Sequence, residues 1–211
     1  MPRTMLLPAL LLLLTACGSA QRQEEAPPPR LIGTCEGCEA VFEYGDRGLT
    51  AVDTLPDFHE DGQRIKISGT IYLPDGRTPA ADVILYVYHT DRNGRYTPRE
   101  GASGWERRHG YNRAWLKTDR EGRYTFYTLR PGSYPDRSTP AHIHPVILEP
   151  DGKYYWLGAY HFSDDPLLTE KERNPDSPRG GSSGLLTLQK EGDLWVGERD
   201  FVLGRHVPGY R

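Results

Sequence analysis

From residue 64 onward, apolar and polar positions alternate in short runs separated by turn dipeptides. Residues 65–73 lead to Asp75-Gly76, 83–89 to Asn93-Gly94, 114–117 to Glu121-Gly122, and 124–129 to a Pro/Gly-rich stretch. Runs at 143–148, 154–162, 185–188 and 194–203 continue the pattern, with Asp151-Gly152 and Glu191-Gly192 among the turns. A two-residue period sends successive side chains to opposite faces, and runs of this length between Gly turns predict an all-β protein, an antiparallel β-sandwich. In 83–89 both alternating sets are apolar or aromatic, which predicts a central strand buried on both sides. No long 3.6-residue period follows residue 30.

The N-terminus reads differently. Arg3, an apolar run over 5–14 too short to span a bilayer, and the tetrad Leu14-Thr15-Ala16-Cys17 describe an export signal. The tetrad is similar to a bacterial lipobox, which implies cleavage before Cys17 and lipid attachment to it. The expected organisation is a signal peptide at 1–16, a lipidated Cys with a Pro-rich tether at 17–30, and one domain at 31–211, held at the cell envelope outside the cytoplasm. Residues 19–30, with Pro27-Pro28-Pro29, carry too little apolar surface to fold and suit an extended spacer.

Two further cysteines, Cys35 and Cys38, point to a disulfide in an exported chain. Thioredoxin-like exchange would need a βαβ setting that the pattern lacks, and two thiolates are too few for a structural zinc site. A net charge of −3 without a dense basic stripe gives no case for nucleic acid.

His142 and His144 stand two apart at the head of an apolar, β-branched run, so both imidazoles face one side of a strand and can grip one metal. Imidazole alone does not choose among Zn, Cu and Fe. Tyr134 lies in a Pro/Gly-rich loop eight residues before His142, and Tyr96 follows the turn at 91–94. With 13 Tyr in the chain, neither stands out by itself, since a core or rim aromatic is the ordinary reading.

The longer wording distinguishes them. Thr118-Asp119, Gly122-Arg123-Tyr124, Thr128-Leu129-Arg130-Pro131-Gly132-Ser133-Tyr134 and Pro140-Ala141-His142-Ile143-His144 occur in an order and spacing that resembles the intradiol ring-cleavage dioxygenases, over roughly residues 65–203. The resemblance implies a non-haem Fe(III) held by Tyr96, Tyr134, His142 and His144, with Tyr134 and His144 axial, Tyr96 and His142 equatorial, and hydroxide in the fifth position. It also implies a catalytic duty for Tyr134, which leaves as a proton acceptor when a catechol-type aromatic chelates. O2 is then inserted and the bond between the hydroxylated carbons breaks, giving a muconate-type diacid. Phenolates are hard donors, and two of them with two imidazoles suit Fe(III) better than Fe(II) or Zn(II).

Two positions depart from the family pattern. Well-known members carry Arg three residues before the first ligand His and Gln on the next strand, where this chain has Thr139 and Ala159; Arg137 lies two residues further upstream. A second reading follows, an exported β-sandwich that keeps the metal ligands but serves as a non-catalytic binding module. Residues 98–112 would border the substrate pocket by resemblance, making Arg107 or Arg108 a candidate partner for an acidic aromatic, while His109 has no partner legible in the sequence. Residues 163–184, acidic and rich in Pro and Gly, form a connection long enough to be functional or mobile.

Overall fold

The computed structural model describes Met1 and residues 28–211, so the export signal and the lipidation site at Cys17 lie outside the described residues. Strands form within each of the predicted runs and at a few short segments besides. They are β1 (Arg30–Leu31), β2 (Val52–Thr54), β3 (Arg64–Tyr72), β4 (Ile84–His89), β5 (Arg113–Lys117), β6 (Arg123–Leu129) and β7 (His142–Leu148). Six shorter ones follow: β8 (Lys153–Trp156), β9 (Tyr160–Phe162), β10 (Leu185–Leu186), β11 (Gln189–Glu191), β12 (Leu194–Glu198) and β13 (Phe201–Val202). Among the described residues the α-helices are two single turns, α1 (Glu106–His109) and α2 (Glu170–Arg173).

One sheet runs β1-β8-β7-β4-β5, with β9 on β7 and β10 on β9; the other runs β11-β12-β3-β6-β2, with β13 on β3. The long strands pair antiparallel, β3 with β6 and β4 with both β5 and β7. The expectation of an antiparallel sandwich holds for this centre, while the edges are mixed. β1, β2 and β12 reach their partners through long connections and pair parallel, as a crossover permits and a tight hairpin does not.

Ile65, Ile67 and Ile71 of β3 and Phe126 of β6 meet Leu85, Val87, Ile143 and Ile147 of the facing sheet in the core between the sheets. Tyr86, Trp115, Val146 and Leu148 point the other way, under a 3-10 turn at Cys38–Phe42. The segment before β2 thus covers the outer face of the first sheet, and β4 is buried on both sides as its composition predicts.

Two expected strands are interrupted. The run 154–162 breaks between β8 and β9 at Leu157-Gly158-Ala159, opposite Pro145, which has no N–H to give a ladder. The run 194–203 breaks at Arg199-Asp200, where the buried Arg199 donates to the Gly158 carbonyl at 2.7 Å, tying one interruption to the other.

Candidate metal centre

His142 and His144 open β7 on its outer face, opposite in parity to the core residues Ile143 and Ile147. Antiparallel register sets His144 directly across from Tyr88 of β4, and the two rings stack with centroids 4.6 Å apart. His109 stacks on the far side of Tyr88 at 3.8 Å and 4° from parallel, and Trp105 follows at 5.2 Å. His109 therefore has partners, including the Tyr86 hydroxyl 2.9 Å from Nδ1. The docking of α1 against β4, which no local spacing encodes, supplies them. Burial, then the Arg113 guanidinium, lowers His109 to about 4.

Two interlocked loops bring the tyrosines. The Asp91 carboxylate accepts from the backbone N–H groups of Asn93 and Arg95 and from the Thr97 hydroxyl, closing the turn that ends at Tyr96. This confirms the region as a turn. Gly132 N–H donates to the Asp91 carbonyl at 3.0 Å, and the Thr90 hydroxyl donates to the Gly132 carbonyl at 2.9 Å. Gly94, at φ +73°, lies so close to Ser133 that a Cβ there would collide with its carbonyl. Each tyrosine loop is thus the template for the other.

The four functional atoms converge. The Tyr96 hydroxyl lies 2.9 Å from His144 Nε2 and 3.2 Å from the Tyr134 hydroxyl. His142 Nε2 lies 2.9 Å from His144 Nε2. His142 Nδ1 is 2.7 Å from the Pro140 carbonyl, which can only accept, so the proton sits on Nδ1 and Nε2 presents a lone pair. Burial lowers both imidazoles below their ordinary range, His144 well below, and keeps them neutral. Burial, then the Tyr134 hydroxyl, raises the Tyr96 phenol.

Two neutral nitrogens and two oxygens that become anionic on binding fit a hard trivalent cation, whose charge would offset the cost of ionising buried phenols. Among the described residues no cluster of three or more His, Cys, Asp or Glu stands at this point, so further donors to a cation here would have to come from the tyrosines.

Beneath the loops lies a buried relay. His89 Nδ1 is 2.7 Å from the Thr90 carbonyl and so carries a proton, while Nε2 is 2.7 Å from Thr128 Oγ1, itself 2.9 Å from Asp57 Oδ1. One hydroxyl proton cannot serve both a bare nitrogen and a carboxylate, so the three side chains hold one further proton. Burial raises the Asp57 carboxyl and lowers the His89 imidazole.

The connection 163–184 is fastened to the site. Asp165 accepts from Ala141 N–H at 2.9 Å just before the ligand strand, and Asp164 receives both terminal nitrogens of Arg130. Thr169 and Glu172 form a capping box that starts α2. Thr139 and Ala159 are half-buried and Arg137 is exposed. His161, in register with His142 and with ring centroids 6.1 Å apart, has a buried Nδ1 without a partner.

A cavity of about 230 Å3 opens on this cluster, with Tyr96, Tyr134 and His144 at its base and Trp105, Arg108 and Glu36 at its wall. A second of about 520 Å3 adjoins it, sharing Glu36, Tyr88 and His144 and extending to Trp156. The disulfide joins Cys35 to Cys38, Cα atoms 5.8 Å apart, and closes the hairpin that carries Glu36. Gly37 between them is buried at φ +88°, where a Cβ would stand 2.7 Å from His109 Nε2. The place of this disulfide-closed loop at the cleft is set by how the N-terminal segment folds over the sheet, which the spacing of two cysteines does not encode.

A family model described as Dioxygenase matches residues 43–172. The chain is 30% identical over 156 residues to the protocatechuate 3,4-dioxygenase beta chain of Burkholderia cepacia, covering 67% of this chain and 65% of the relative. It is 28% identical over 138 residues to catechol 1,2-dioxygenase 1 of Acinetobacter lwoffii, covering 57% and 42%. The chain thus spans less than two thirds of the length of these curated relatives. Among solved structures, the intradiol ring-cleavage dioxygenase from Tetranychus urticae shares the fold, with a TM-score of 0.54 and 17% identity over 79% of this chain and 90% of that one.

Proposed function

The chain belongs to the intradiol ring-cleavage dioxygenase family, and from that membership we propose that it inserts O2 into a catechol-type aromatic and cleaves the bond between the two hydroxylated carbons, giving a muconate-type diacid. We place it outside the cytoplasm, tethered through Cys17. The observation that carries the reading is the convergence of Tyr96, Tyr134, His142 and His144, their functional atoms linked by contacts of 2.9 to 3.2 Å at the base of the cleft.

Fe(III) held by those four side chains would supply the charge that keeps both phenols ionised and the Lewis acidity that readies a catecholate for O2. The protein's own residues do the rest. The Pro140 carbonyl fixes the His142 tautomer so that Nε2 faces the site. Tyr88 holds the plane of the His144 ring by stacking. The Tyr96 phenol is raised by burial and bonded to His144, and serves as a permanent donor. Tyr134 sits on the Gly-Ser-Tyr-Pro loop and takes the proton of a substrate hydroxyl onto its phenolate oxygen. Trp105 walls the chamber and limits water around the ring.

Metal analysis with visible absorption and O2 uptake tests this reading. The iron-loaded protein should be red-brown from tyrosinate-to-iron charge transfer and should consume one O2 per catechol. A colourless iron complex, or a coloured one that takes up no O2 with a panel of catechols, would favour the non-catalytic binding module instead.

A further inference from the structure

The cleft mouth carries a feature that iron binding does not require. Arg108 Nη1 lies 2.6 Å from Glu36 Oε1, with both side chains well exposed to solvent, and an ion pair so placed contributes little to stability. Its position is what distinguishes it. Glu36 borders both cavities, and Arg108 borders the inner one together with Tyr96, Tyr134 and His144. A ring bound at the ligand atoms therefore has its outward substituents facing this pair.

Both arms are mounted on rigid supports. Glu36 lies within the four-residue hairpin closed by Cys35 and Cys38, and Gly37 wedges that hairpin against His109. Arg108 projects from α1, its guanidinium 5.6 Å from the Trp105 ring centroid. Arg107 is exposed but does not border the cavity, which narrows the two candidate cations to Arg108.

We propose that Glu36 and Arg108 are the selectivity element of the cleft, a mutually neutralised pair that favours catechols whose ring substituents carry no charge; this rests on the dioxygenase reading above. The argument is electrostatic. A substituent carboxylate would be repelled by Glu36 and would find Arg108 already engaged. A substituent ammonium would meet the same obstacle with the signs exchanged. A neutral group encounters neither. Removing one partner leaves the other as an unmatched charge facing the substrate, so the two single variants should acquire opposite preferences.

The test uses three iron-loaded proteins, unmodified, Glu36→Gln and Arg108→Gln, with three probes: catechol, 3,4-dihydroxybenzoate and 4-(2-aminoethyl)catechol. Dissociation constants come from anaerobic titration of the visible band, and kcat/KM from O2 uptake. The unmodified protein should prefer catechol over both charged probes. Glu36→Gln should shift the ratio of 3,4-dihydroxybenzoate to catechol upward by about tenfold, and Arg108→Gln should do the same for the aminoethyl compound, the scale expected of one partly screened charge. The same rank order in all three proteins, or an unmodified protein that binds 3,4-dihydroxybenzoate more tightly than catechol, would overturn the proposal. Absence of O2 uptake in every combination would sink the dioxygenase reading, while the anaerobic constants would still decide the selectivity claim.

Discussion

Tyr88 stands directly across the ladder from His144 and lays its ring on that imidazole, with planes 15° from parallel. On the proposed reading the contact would orient a ligand ring without touching the metal position, as outer partners of metal sites commonly do. Tyr88→Phe keeps the aromatic face and should retain iron. Tyr88→Ala should weaken iron affinity by about fivefold, the scale of an aromatic pair worth roughly 1 kcal/mol. Competition with a chelator reads the difference, and equal retention by both variants would remove the stack from the account.

Gly94→Ala should separate the tyrosines without unfolding the sandwich. The new methyl group would meet the Ser133 carbonyl at a residue whose φ is +73°. A stability loss of roughly 1–3 kcal/mol is expected, with a weakened resting charge-transfer band and an unchanged far-ultraviolet β signature. Gly45→Ala is the control: its φ is +58° but nothing lies within 4 Å, so it should show backbone strain alone.

The two tyrosines should separate by state. Tyr96→Phe should lose iron or shift the visible band both before and after anaerobic addition of catechol. Tyr134→Phe should change the resting colour strongly, yet its catechol complex should resemble that of the unmodified protein, because the Tyr134 phenolate has already left as proton acceptor. Identical behaviour of the two variants in the catechol complex would mean that the assigned duties are wrong.

Acid should destabilise the protein through its buried histidines. His109 titrates at about 4 when folded, below the ordinary 6.5, so between those values the unfolded chain binds the extra proton. Its contribution is complete above pH 6.5 and is lost as pH falls toward 4. His109→Gln should therefore flatten the fall in melting temperature between pH 7 and pH 5. Some slope should persist, since His89, His142, His144 and His161 are lowered in the same direction. An unchanged slope in the variant would locate the acid sensitivity elsewhere.

Cys17→Ser should release the protein from membranes as a folded domain, because the Pro-rich spacer offers no other apolar anchor and stable attachment needs more than one acyl chain. Fractionation after a salt wash checks this, and a variant that still pellets would argue against the lipid tether.

The alternation at 83–89 foretold a strand buried on both faces, and the two-residue spacing of His142 and His144 foretold a shared face. Both follow from local periodicity, which a single sequence displays. Tyr88, His109 and His161 carried no such signal. Tyr88 and His161 owe their places to which residue of one strand lies opposite which residue of another, set by register across tens of positions, and His109 owes its place to the docking of α1 on β4. Glu36 was hidden for a similar reason, since the hairpin meets the cleft only after the N-terminal segment folds over the outer face of the sheet. The parallel edges were equally invisible, because the period of a strand does not reveal the direction of its partner.

The two histidines stand on the outer face of their sheet with the tyrosines brought to them by loops, and the core between the sheets is closed by Ile, Leu, Val and Phe side chains on the opposite face. If the four side chains hold iron as proposed, the core that supports them is complete without it. Iron bound to the folded state would then add stability as well as competence, so its supply would govern both.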